Sequence, residues 1–131
     1  MIMRLALAGT LAVATLVGAA HAQDAALGTW QTEVDDGAFA YVEMRMCGAA
    51  ICGDIARTFD ASGEYASPNI GRQIVIDMEP QGNGRYEGSV WRPSNDRIYV
   101  GRMDVDGDRL TLRGCVAGGL VCARQTWVRI E

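Results

Sequence analysis

The chain has 131 residues, with 16 Asp and Glu, 12 Arg, no Lys and one His, for a formal net charge of −4. An acidic chain without a basic run argues against nucleic acid as the partner. The missing Lys excludes Schiff-base chemistry.

The first element is an export signal. Met1-Ile2-Met3-Arg4 is a short cationic start, and Leu5 to Ala20 is apolar or small. Ala20-His21-Ala22 has the small-x-small form of a cleavage site, which places the mature start at Gln23. The apolar run is shorter than the roughly 20 residues that a membrane helix needs. The expectation is therefore a signal over 1–22, one domain over 23–131, and a periplasmic or secreted protein with no integral membrane segment once the signal is gone. Cleavage removes His21, so the mature chain has neither His nor Lys.

Beyond residue 27 the apolar residues alternate with period two, the mark of strands. Strands are expected near 28–34, 38–47, 51–58, 72–78, 85–92, 97–105, 108–115 and 122–130. Turn signals separate them, among them Asp35-Asp36-Gly37, Asn83-Gly84 and Asp106-Gly107. One long connection, 59–71, is rich in Ser, Gly, Asn and Pro. Pairing the segments on paper sets Glu87 opposite Arg102, Tyr86 opposite Met103, and Asp104 opposite Arg109. It sets Cys47 opposite Cys52, and it leaves Arg113 facing Arg124, where a bulge would relieve the repulsion. About eight antiparallel strands in sequence order close into an up-and-down barrel, an all-β fold without free sheet edges; an open sandwich is the alternative.

Cys47, Cys52, Cys115 and Cys122 are even in number in an exported chain, which reads as two disulfides. Each of the pairs Cys47–Cys52 and Cys115–Cys122 flanks a short loop between strands, and this pairing is favoured. The spacings lack C-x-x-C, which argues against a zinc site or a redox motif.

Several segments together carry a family resemblance. Gly28-Thr29-Trp30 resembles the G-x-W opening of calycins, the lipocalin and avidin-like barrels. The pattern continues through Cys47-Gly48-Ala49-Ala50-Ile51-Cys52-Gly53, Gly84-Arg85-Tyr86, Tyr99-x-Gly101, Leu112-Arg113-Gly114-Cys115 and Gln125-Thr126-Trp127-x-Arg129. It looks like the bacterial exported domain of unknown function 2147. This chain has Val90-Trp91-Arg92-Pro93 where such members often carry an aliphatic-Tyr-Asp-Pro stretch. The resemblance implies a small β-barrel and no established activity. It also implies that Trp30 closes a barrel floor against Arg129, beside Trp127.

No catalytic constellation is visible. Without His there is no Ser-His-Asp or Cys-His scheme, and no phosphate-cradling glycine motif occurs. Asp104, Asp106 and Asp108 read as a hairpin turn rather than a calcium loop, since the twelfth position is Cys115. The expectation is a protein that is not an enzyme and has no cofactor and no metal. Strand parity points Arg57, Arg92, Arg97 and Tyr99 inward at one end, a candidate ligand mouth. Trp30, Trp127 and Arg129 form a floor at the other. An apolar cavity beneath inward-leaning arginines would suit a small apolar or amphiphilic ligand, including one with an anionic head. Trp91 falls outside beside Ile98, with Phe39 and Tyr41 on another outer strip. A protein partner is the alternative: as a protease inhibitor, the chain would thread a flexible start near Gln23-Asp24-Ala25-Ala26 into a protease cleft. A carboxylate hydrolase would need two acids inside the barrel, where parity places few.

Overall fold

A computed structural model describes residues 8–10, 12 and 24–131. The expected cleavage site and Gln23 lie outside the described residues, as does most of the signal segment. No helix among the described residues is long and apolar enough to cross a membrane.

Nine strands form in chain order: β1 Gly28–Gln31, β2 Ala38–Cys47, β3 Ala50–Asp60, β4 Gly63–Tyr65, β5 Gln73–Gly82, β6 Arg85–Arg92, β7 Arg97–Asp106, β8 Arg109–Val116 and β9 Val121–Arg129. Eight of them run β2-β1-β9-β8-β7-β6-β5-β3, and pairing of β2 with β3 closes the ring. The result is a closed antiparallel barrel, as the alternation implied. β4 is an addition that the sequence did not signal. β3 runs to Asp60 and folds straight back, so Gly63–Tyr65 pairs with Thr58–Asp60. The long connection is thus half hairpin. β1 ends three residues early, because Asp35 bridges to Ala38 and the chain turns toward β2.

The two disulfides are Cys47–Cys52 and Cys115–Cys122. β6 and β7 pair in the expected register, with Glu87 opposite Arg102 and Tyr86 opposite Met103. Two other registers differ by two residues. Cys47 faces Ala50 rather than Cys52, and Asp106 rather than Asp104 faces Arg109. The cause is where the turn glycine sits. Gly48 and Gly107, with φ of 68° and 59°, take the first central position of a two-residue turn. A slip of two preserves the side-chain face, so the inward set survives both errors. Arg113 does face Arg124 without a bulge. Asp104 offsets the repulsion by pairing with Arg113 at 2.5 Å.

Irregularities decide the rest. At the β2–β3 seam the register breaks between Tyr41 and Val42, which face Arg57 and Ile55, so Ala56 is the extra residue. On β5, Asp77 adopts φ of 47° and bulges toward Gly88. A Cβ on Gly88 would lie 2.4 Å from the Asp77 carbonyl oxygen, so the bulge requires a glycine there. The lower half of the barrel is filled, chiefly by Trp30, Ile51, Met78, Met103, Leu110 and Val42, all buried.

Candidate functional site

The floor is built from both ends of the domain. Trp30 is buried and its indole N–H donates to the Ala26 carbonyl at 2.9 Å. The Arg129 guanidinium lies over the Trp30 ring, 4.3 Å from its centre. It also donates to the carbonyls of Leu27 and Ala25 and to the Asp108 carboxylate. Tyr86 donates its hydroxyl to Asp24 at 2.5 Å, and burial, then this carboxylate, pushes the phenol pKa up. Asp24–Leu27 is therefore held against the barrel, with Ala26 buried. This corrects the expectation of a flexible start free to enter a protease cleft. Trp127 lies one layer higher, beside Leu110 in register, and its indole N–H donates to Gln125 at 2.9 Å.

Above Trp127 the barrel is open. A cavity of about 550 Å³ runs from that indole to the end formed by residues 32–37, 93–96 and the β8–β9 turn. Its walls are apolar, with Ala40, Ile55, Ile74, Val90, Leu112 and the bare backbone of Gly114. Alternation explains why: these are the inward positions of five strands, and the small residues leave the space unfilled. Polar groups line it as well, among them Thr58, Tyr99 and Gln125. Thr58, 5% exposed, donates to the Tyr65 carbonyl and accepts from the Ser67 N–H. Tyr99 accepts from the Asn95 side chain at 2.7 Å. Gln125 has its carbonyl occupied by Trp127. An indole nitrogen only donates, so that contact assigns the Gln125 oxygen and leaves the amide N–H groups facing elsewhere.

At the rim the structure separates the four residues expected to form the mouth. Arg92 and Tyr99 line the cavity. Arg92 grips Asp35 in two hydrogen bonds of 2.9 Å each. The bonds to Arg92 hold the Asp35 carboxyl below its ordinary range and raise the arginine. Arg97 is exposed and is not among the lining residues. Arg57 points the other way, a correction to its placement at the mouth. The extra residue Ala56 reverses parity, Thr58 takes the inward position, and Arg57 turns outward. There it pairs with Glu64 at 2.6 Å and lies 5.5 Å from the ring centres of Tyr41 and Phe59. Arg124 borders the cavity from the outer face of β9, opposite Arg113, and joins no ion pair among the described residues.

Two acids also reach the mouth. Glu33 accepts the Thr126 backbone N–H at 2.5 Å and Asp35 holds Arg92, so both carboxylates are committed to structural contacts. The mouth is of mixed charge rather than an arginine ring. Nothing local in the sequence signals the Arg92–Asp35 pair, whose members lie 57 positions apart. Trp91, expected on the outer face, lies buried beneath the Arg72 guanidinium at 3.7 Å and donates to Asp96. Its neighbour Ile98 remains exposed. Among the described residues, Cys47, Cys52 and Asp77 cluster within 4.8 Å, but the two sulfurs are bonded to each other.

A small antiparallel barrel, sealed at one end and hollow and apolar at the other, is the architecture of the lipocalin-like barrels. The chain belongs to the bacterial family described as "Uncharacterized protein conserved in bacteria (DUF2147)", whose match covers residues 28–129. Its structure is similar to that of protein HP1028 from Helicobacter pylori, described as belonging to the lipocalin family. The two share 18% identity and a TM-score of 0.64 over 80% of this chain and 82% of that one. This likeness concerns the fold. No curated protein matches the chain.

Proposed function

We propose that this protein is a non-enzymatic binding module of the bacterial cell envelope that holds one small apolar or amphiphilic ligand in its barrel. The observation that carries this is the cavity of about 550 Å³ with apolar walls, closed below by Trp127 and open above. Ligand sites commonly measure about 300–1,000 Å³ and combine such walls with a few placed polar groups. The apolar part of the ligand rests against Ile55, Ile74, Val90 and Leu112, and its polar end lies at the mouth. Arg92 at the mouth is already neutralised by Asp35, so an anionic head has to share or displace that pair. The two disulfides agree with an oxidising compartment, and the signal-like start with export to the periplasm. The domain spans 23–131 in this reading.

The test is native mass spectrometry of non-reduced protein recovered from the periplasm of an expressing bacterium. A mass excess that disappears on unfolding names the ligand class. Titration with brominated palmitate gives a second readout, since bromine in the cavity quenches Trp127 and a Trp127→Phe variant loses most of that quenching. A bare polypeptide mass together with no quenching overturns the proposal.

A further inference from the structure

The β8–β9 hairpin ends in an uncharged stretch, Val116-Ala117-Gly118-Gly119-Leu120-Val121-Cys122-Ala123. Its large side chains are turned to solvent: Leu120 is 87% exposed, Val121 61% and Val116 48%. Val34 joins them at 66% exposure. These residues are neighbours around the rim. β9 lies between β8 and β1, and Val34 follows β1 in the segment that reaches back to β9 through Glu33. Val34, Val116 and Val121 also line the cavity, so the exposed strip and the apolar interior are one continuous surface. The Cys115–Cys122 disulfide fastens the base of the hairpin. The strip is a built projection rather than a frayed end.

We propose that this aliphatic lip docks onto a lipid bilayer, with the barrel mouth facing the membrane. The idea rests on the cavity reading and adds where the amphiphile enters and leaves. Three features favour a bilayer over a protein. The lip is purely aliphatic, without the aromatic anchors that dominate protein interfaces. It opens into the cavity, so an acyl chain could pass from the bilayer interior to the barrel without crossing water. Arg97, at the start of β7, and Arg124, on the outer face of β9 three residues past Val121, make no ion pair among the described residues. Cations beside an apolar insertion match anionic headgroups. The arrangement is small, so the expected association is reversible rather than permanent.

The experiment is flotation of the periplasmic protein with vesicles of equal parts phosphatidylethanolamine and phosphatidylglycerol. Wild-type protein should float with the vesicles. Leu120→Asp should lower the bound fraction about tenfold, and Leu120→Ile should retain it. Because Leu120 packs against almost nothing, neither change should alter the fold, which the melting curve and brominated-palmitate quenching both report. Wild-type protein that stays in solution while still binding palmitate overturns the lip and leaves the cavity reading standing. Flotation without any palmitate binding leaves the lip standing and removes the cavity reading. Equal flotation of wild type and Leu120→Asp overturns the lip. So does a protein adduct at Leu120, captured by a photo-crosslinker, in protein that does not float.

Discussion

Filling the cavity from its own wall tests the binding reading at the place where it is most exposed. Gly114 lines the cavity on β8, and a Cβ built there meets only Tyr99 and Val90, each at 3.5 Å, an ordinary contact. Gly114→Leu therefore enters the cavity instead of the packed wall. Its four side-chain carbons displace about four methylenes of a bound acyl chain. At about 0.8 kcal/mol per methylene, this costs about 3 kcal/mol of binding, or roughly a hundredfold in Kd. Stability should change by less than about 1 kcal/mol, since no neighbour has to move. The assay is brominated-palmitate quenching of Trp127 in wild type and variant, with urea unfolding as the control for folding. An unchanged Kd in a fully folded variant would refute the argument that the ligand occupies this space.

Other consequences follow from named contacts. Gly88→Ala should destabilise by about 3 kcal/mol, because its Cβ collides with the Asp77 and Ile76 carbonyls; urea midpoints for Gly88→Ala and Gly114→Ala should differ sharply. Arg129→Lys keeps the charge but loses the planar fork over Trp30 and the bonds to Ala25 and Leu27, at about 1–2 kcal/mol. Hydrogen exchange at Ala26 and Leu27 should rise in that variant. Asp35 is held below its ordinary value of 3.8 by Arg92. Its contribution is present above that value and is lost as pH falls through the lower folded-state value. Asp35→Asn should lower the unfolding midpoint modestly at neutral pH, where the contribution is present, and flatten the acid limb below about pH 4, where wild type loses it as well. An identical acid limb in both proteins would show that the pair is too well solvated to matter.

The division between sequence and structure follows from what is local. Period-two alternation depends only on adjacent residues, so the barrel class and the alternation of faces along β6 to β9 were readable. Met103 and Leu110 share the buried face even though the β7–β8 register is two residues from the paper pairing, because parity survives an even slip. The disulfides were readable too, since each closes a hairpin whose strands are neighbours in the chain. Ala56 marks where this logic ended. One extra residue in β3 turned Arg57 out of the mouth, and no residue type there announces a bulge. Charge at the mouth was equally hidden. Asp35 reaches Arg92 and Glu33 reaches Thr126 only because ring closure brings distant segments together. The same closure seats Asp24–Leu27 on the floor beneath Trp30, against Tyr86 and Arg129 from far along the chain. What the order of residues determined by itself was the strand menu, its faces and its covalent staples. Only tertiary packing decided which half of the barrel is full, which is empty, and which charges guard the opening. Those outcomes depend on how small and large inward residues from different strands stack at each height.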